Sequence, residues 1–204
     1  MFFSFDGIDG VGKSTQIKLL VEWLGEQGHS AIACRDPGST PLGERIREIL
    51  LAHEDQVAIE RRAEMLLYMA ARAQLVEQVV RPALERGEIV VSDRFLLANV
   101  VYQSYAGGLD LEQVRSVGEV AIAVVRPDVV FLLDMPVEEA DMRMARELDR
   151  MESQGREFRQ RLREGFLAEA RLAPGVIHVV DAARPIDEIQ QEIRRVASAT
   201  LRPK

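Results

Sequence analysis

The stretch GIDGVGKST (residues 7–15) places Gly7, Gly12, Lys13 and Ser14 in the spacing G-x-x-x-x-G-K-[ST] without a mismatch. The chemistry these types can do is phosphate binding. Glycines let the backbone curl until successive N–H groups face phosphate oxygens, with a helix N-terminus beneath them. Ile8, Asp9, Gly10, Val11 and Thr15 complete the cradle. Lys13 is suited to span the outer phosphates, and the Ser14 hydroxyl to reach Mg²⁺. A second cluster, SDRF (92–95), closes a buried apolar run. There Asp93 is suited to order Mg²⁺ or its waters, and Arg94 to clamp an acceptor phosphate; the plainer alternative is an Asp–Arg pair that caps the strand. Arg35, Arg72, Arg146 and Arg150 also stand just after strands or at helical spacing. Bringing two phosphorylated substrates together requires such a set, because their repulsion must be neutralised.

These groups need a frame. Short β-rich apolar runs are expected at 2–6, 30–35, 88–93, 128–134 and 176–181. Helical patterns separate them at 14–27, 42–52, 58–86, 96–105, 111–125, 137–150, 157–173 and 186–199. Five apolar strands alternating with helices predict an α/β fold, a parallel sheet with helices on both faces. Ligands then gather at the carboxyl ends of the strands. The 204 residues are expected to form a single domain, 1–204, with no repeat and no low-complexity linker.

Composition narrows the function classes. A net charge of −7 argues against a general nucleic-acid or anionic-membrane binder, so positive charge must be concentrated locally. No apolar run approaches the ~18–20 residues of a membrane span, and the first residues run straight from a strand pattern into the glycine loop. One cysteine, Cys34, excludes an intrachain disulfide framework and fits a reducing compartment, so the expected address is cytoplasmic. His29, His53 and His178 are scattered and suggest no site. Guanine-reading switches carry N-K-x-D at a strand end and D-x-x-G after a second strand; neither stands in such a place here. The residues alone therefore favour a small kinase over a switch, without naming its acceptor.

Five segments, in order, resemble the thymidylate kinase family of the nucleoside monophosphate kinases. FDGIDGVGKSTQ is similar to its F-E-G-x-D-G-x-G-K-[ST]-T-Q, and RDPGSTPLGERIREILL to its R-E-P-G-G-T-P-L-G-E-x-I-R-x-L-L. YMAARAQLV, DRFLLANVVYQSYAGGLD and the lid segment ARELDRMES follow in the family's order. The resemblance spans nearly the whole chain. It implies a three-layer P-loop kinase fold with a lid over roughly 141–158. The implied activity is phosphorylation of thymidine 5′-monophosphate to the diphosphate by ATP and Mg²⁺, a step in dTTP synthesis; the implied assembly is a homodimer.

Residue by residue, the resemblance puts Asp9 near the acceptor phosphate and magnesium. It stacks Tyr68 on thymine and sets Arg72, one helical turn on, at the base edge or the acceptor phosphate. Arg94 holds that phosphate, Asn99 and Gln103 present amides to the pyrimidine, and Tyr102 packs beneath the deoxyribose. Taken without the family, Tyr68 reads as core and Arg146 and Arg150 as partners of Glu147 or Asp149. The chain also departs from the pattern. Asp6 and Asp36 stand for Glu, Asn99 for Ser and Val101 for Ala. Ser39 replaces a glycine, which removes the residue type that favours φ > 0. Gly10 stands where one subgroup has arginine, so transition-state charge is expected from Arg146 and Arg150. A kinase for another acceptor, or a nucleotide-binding switch, remains the alternative.

Overall fold

The computed structural model describes residues 1–51, 58–144 and 154–201. Its centre is a five-stranded, all-parallel sheet in the order β2-β3-β1-β4-β5, with β1 Phe2–Asp6, β2 Ala31–Arg35, β3 Ile89–Asp93, β4 Val129–Asp134 and β5 Ile177–Asp181. All five expected strands are present, each within one residue of its expected limits. Alternation along β1 explains why both faces must be covered. Phe3 and Phe5 pack with Phe131, with Ile17, Leu20 and Leu24 of α1 (Lys13–Glu26), and with Ile189 and Ile193 of α9 (Ile186–Leu201). Phe2 faces the other way, into Leu75, Val80, Val90, Phe95 and Ile122. Each such side chain contributes about 1.5–3 kcal/mol by leaving water.

Every strand ends on a charged residue: Asp6, Arg35, Asp93, Asp134 and Asp181. The register sets Asp93 beside both Phe5 and Arg35, so the ends of β1, β2 and β3 lie side by side. The chain passes from β1 over β3 to β2 on one side and later from β3 over β1 to β4 on the other, so the end of β1 lies at the switch point at which α/β sheets bind ligands.

Three helical expectations are modified, and the one over 137–150 ends at Arg143 because Met144 is extended. The segment expected as one helix over 58–86 is α3 (Arg61–Leu75), a π-helical turn (Val76–Val80) and α4 (Arg81–Glu85). Pro82 accounts for the break, since it has no N–H to donate and its ring crowds the preceding turn. The segment expected over 96–105 is α5 (Leu96–Asn99) followed by a π-helical stretch, Val100–Ala106, which carries Tyr102 and Gln103. Among the described residues, the remaining helices are α2 (Pro41–Leu51), α6 (Leu111–Ile122), α7 (Val137–Arg143) and α8 (Arg156–Leu172). The lid falls only in part on described residues, and Arg146, Arg150 and His53 lie outside them.

Ser39 corrects an expectation. It adopts φ 61 although it is not glycine. Its Oγ accepts from the Arg35 N–H at 2.9 Å, and its own N–H donates to Glu44 Oε1 at 2.7 Å. Serine tolerates the left-handed turn here because these local bonds stabilise it.

Candidate active site

The glycine loop is held by contacts that only a missing side chain permits. A Cβ on Gly7 (φ 132) would lie 2.3 Å from the Leu133 carbonyl oxygen of β4, so the loop can leave the sheet only because that atom is absent. Lys13, at the start of α1, turns back over the loop. Its Nζ donates to the carbonyls of Gly7 (3.1 Å) and Ile8 (2.9 Å) and lies 3.4 Å from Asp9 Oδ1.

Asp9 is the hub. Arg94 Nη2 donates to its Oδ1 at 2.6 Å, and the Tyr102 hydroxyl to its Oδ2 at 3.2 Å. Arg94 also donates from Nη1 to the Gly7 carbonyl at 3.0 Å, and its guanidinium stacks 5.1 Å from the Tyr102 ring centre. The backbone at Arg94 is left-handed, φ 66, a strained conformation for a non-glycine. Burial alone would raise the Asp9 carboxyl, but Arg94 and Lys13 hold it well below the usual range. Burial likewise pushes the Tyr102 hydroxyl well up, so it stays a donor.

Ser14 and Asp93 meet across the loop, Oγ to Oδ2 3.5 Å. No group of three or more His, Cys, Asp or Glu side chains converges for a metal among the described residues. Nucleotide-bound Mg²⁺ does not need one, because it keeps several waters and takes phosphate oxygens with one or two protein ligands. A hydroxyl and a carboxylate on one cavity wall fit that requirement.

Among the described residues, cavities flank the loop on both sides. One, of ≈ 440 Å³, is walled by Asp9, Lys13, Asp93 and Arg94 together with Arg35, Asp36, Arg47 and Arg143. The other, of ≈ 600 Å³, runs from Val11 and Gln16 to a more apolar slot at Ala183, Pro185, Ile186 and Ile189. They share Gly10, Gly12, Thr15 and Arg143 as a common wall.

The residues expected to read the acceptor are brought to one region with different exposure. Tyr68 is half-buried and packs against Ile46, Leu50 and Ala71. Arg72 is fully buried and committed to protein groups: Nε donates to Asp36 Oδ2 at 2.5 Å and Nη2 to the Phe95 carbonyl at 3.2 Å. It therefore stands behind Asp36 and off the cavity wall. Asn99 and Gln103 are buried and bonded to each other, Nδ2 to Oε1 2.8 Å, and Gln103 Nε2 donates to Glu64 at 3.1 Å. Asn99 Oδ1 has no hydrogen-bond partner among the described residues. Glu64 was not singled out from the sequence, although it precedes Tyr68 by one turn on the same helix face. Arg143 was also missed, being a single arginine on a helix with no motif to mark it, and Arg47 was not singled out although it stands at the arginine of the second family-like segment.

Asp6 is fully buried beside this cluster, and neither carboxylate oxygen has a hydrogen-bond partner among the described residues. Burial pushes its pKa from 3.8 up to about 7, outweighing the attraction of Arg94 and Lys13. The unfolded carboxyl ionises near 3.8 and the folded one near 7, so between them the native state holds the extra proton and stability falls as pH rises. Asp6→Asn should therefore gain thermal stability over the parent protein between pH 4 and pH 8, by roughly 5 °C or more for a domain of this size. A melting-temperature difference that is flat across that range would show that Asp6 is not the proton-binding group.

A phosphate-cradling loop, a parallel sheet switching at β1 and a two-sided cavity define a P-loop phosphotransferase of the nucleotide kinase type. A sequence model of the family described as Thymidylate kinase matches residues 5–193. The thymidylate kinase of Symbiobacterium thermophilum is 44% identical over 204 residues, covering 98% of this chain and 94% of that protein. That of Rhodopirellula baltica is 45% identical, covering 95% and 78%. The crystal structure of thymidylate kinase from Ehrlichia chaffeensis superposes with a TM-score of 0.80 at 29% identity, covering 97% of this chain and 98% of that one. The chain belongs to the thymidylate kinase family.

Proposed function

We propose that the protein transfers the γ-phosphoryl group of ATP·Mg²⁺ to the 5′-phosphate of thymidine monophosphate, giving the diphosphate. The observation that carries this is the common wall of the two cavities, which brings a donor and an acceptor to opposite sides of one phosphate loop. The apolar slot at Pro185 and Ile186 suits a purine ring. The arginine-lined cavity suits a second phosphate, with Arg94, Arg35 and Arg47 supplying charge. Because the acceptor is already an anion, no strong base is needed; alignment and neutralisation carry the reaction. Bound Mg²⁺, held through Ser14 and Asp93, would neutralise charge on the transferring phosphoryl. Asp9 would keep Arg94 and Lys13 aimed at the oxygens between donor and acceptor. Arg146 and Arg150, in the lid, would add charge as it closes and excludes water.

The base is read from three sides in this account. Tyr68 stacks on thymine, the partnerless Asn99 Oδ1 accepts from its ring N–H, and Glu64 fixes the amide pair through Gln103. Tyr102, tied to Asp9, closes the space a ribose 2′-hydroxyl would occupy. A cytoplasmic homodimer completes the reading; the exposed Leu42, Ile49 and Leu66 on α2 and α3 support self-association.

A coupled phosphotransfer assay over a panel of monophosphates tests it. Thymidylate should be the best acceptor. Deoxyuridylate lacks one methyl, worth ~1–3 kcal/mol in an apolar pocket, so its kcat/KM should be roughly 10–200-fold lower. Tyr68→Ala should raise KM for thymidylate and leave ATP binding unchanged. If adenylate, guanylate or a sugar phosphate is preferred, the thymidylate reading fails while the kinase reading survives.

A further inference from the structure

Arginine is seldom fully buried unless it is paired, and on α8 Arg159 is only 4% exposed. Its Nη2 donates to the backbone carbonyl of Asp9 at 2.8 Å, and its Nη1 lies 3.7 Å from Met144 Sδ. Its Nε lies 2.9 Å from Asp141 Oδ1. The Nε–H is not aligned on that oxygen, so this pairing is by charge and not by a directed hydrogen bond. Asp141 belongs to the last turn of α7, where the chain enters the lid segment. One guanidinium thus joins α8, the root of the lid and the phosphate loop.

The point of attachment matters. The carboxylate of Asp9 holds Arg94, Lys13 and Tyr102, and the carbonyl of the same residue is the atom Arg159 holds. The next residue is Gly10, whose Cβ would lie 2.3 Å from the Ala140 carbonyl oxygen and 3.2 Å from Met144 Cγ. No side chain at position 10 fits there, so the loop cannot brace itself at this peptide. The brace comes from α8 instead, 150 residues away in sequence.

We propose that Arg159 is a positioning residue for phosphoryl transfer. It locks the Asp9–Gly10 peptide to the root of the lid, so that the Asp9 hub and the phosphate-cradling N–H groups keep one geometry when both substrates are bound. The inference rests on the kinase reading above. In-line transfer depends on alignment, and a misplacement of about 1 Å can cost on the order of 10²-fold in rate. A residue acting this way should change kcat far more than binding.

The test uses the full-length protein with Arg159→Gln, Arg159→Lys, Asp141→Asn and the Gln/Asn double variant. For each, kcat, both KM values, the melting temperature and the affinity for a non-hydrolysable ATP analogue are measured. Arg159→Gln should lower kcat by roughly 10–100-fold, with both KM values and the analogue affinity within about threefold of the parent. Arg159→Lys should recover little, because one ammonium cannot hold the Asp9 carbonyl and Asp141 together. Asp141→Asn should have a smaller effect, and the double variant should be no worse than Arg159→Gln, since both act through one connection. A kcat within about threefold of the parent in Arg159→Gln, or full additivity in the double variant, overturns the proposal. So does a loss that disappears at a lower temperature where the variant is fully folded, which would make the role structural. If Arg159→Gln does not fold, the Lys and Asn variants decide by the same criteria. A parent protein inactive on every monophosphate would show the kinase reading itself to be wrong and would take this inference with it.

Discussion

Lys13→Ala should fold and lose phosphoryl transfer by roughly 10²–10³-fold in kcat, the cost of removing one preorganised charge-stabilising donor. The argument is geometric. The Lys13 ammonium is 7% exposed and is steered by the Gly7 and Ile8 carbonyls toward the middle of the cavity, beside Asp9 and Arg94. Burial and the neighbouring Arg94 lower its pKa, so the folded protein carries this cation at a cost that its removal relieves. Of the two loop carbonyls, that of Gly7 keeps the bond from Arg94 Nη1 at 3.0 Å, so the melting temperature should fall little. The backbone N–H groups of residues 10–14 remain, so nucleotide affinity should fall less than turnover. Melting temperature, ATP-analogue affinity and single-turnover rate distinguish these effects. A folded variant with near-parental turnover would remove the phosphate-loop assignment.

What the sequence made legible was local. The loop motif lies within eight residues, and the strands are short apolar runs between breakers, so their limits were readable to within a residue. The long-range pairings were not. Arg94 reaches Asp9 across 85 positions, Arg72 reaches Asp36 across 36, and Gln103 reaches Glu64 across 39. Spacing along the chain carries no trace of such contacts, because the sheet order brings the strand ends together. Arg72 shows the consequence. One helical turn after Tyr68, it shares a face with it, yet the β2–α2 turn supplies Asp36, which takes the guanidinium first. The π-helical turns were hidden for another reason, since VVYQSYA has the same apolar content whether its turns are tight or wide. Ser39 shows that a backbone conformation can outlast the glycine that usually permits it when side-chain bonds replace the missing freedom.

Arg94→Ala should be the most damaging single change, lowering kcat by about 10³–10⁵-fold, the range an arginine on a transferring phosphoryl contributes. Arg94 serves both ends of the site: one nitrogen holds the loop at Gly7, the other holds Asp9, and the guanidinium plane lies on Tyr102. Asp9 holds its pKa well above the ordinary arginine value despite burial, so it is charged at every working pH. Its backbone allows a control that separates chemistry from stability. At φ 66 an L-residue is strained, and glycine is not. Arg94→Gly should therefore be more stable than Arg94→Ala by about 1–2 kcal/mol, the cost of placing a Cβ in the left-handed region. Both variants should be equally inactive, because neither carries a guanidinium. Denaturant unfolding and turnover measured side by side decide the matter. If activity follows stability across the two variants, Arg94 acts through the fold; if the glycine variant is firmer and still inactive, the strained arginine is held there for the phosphate.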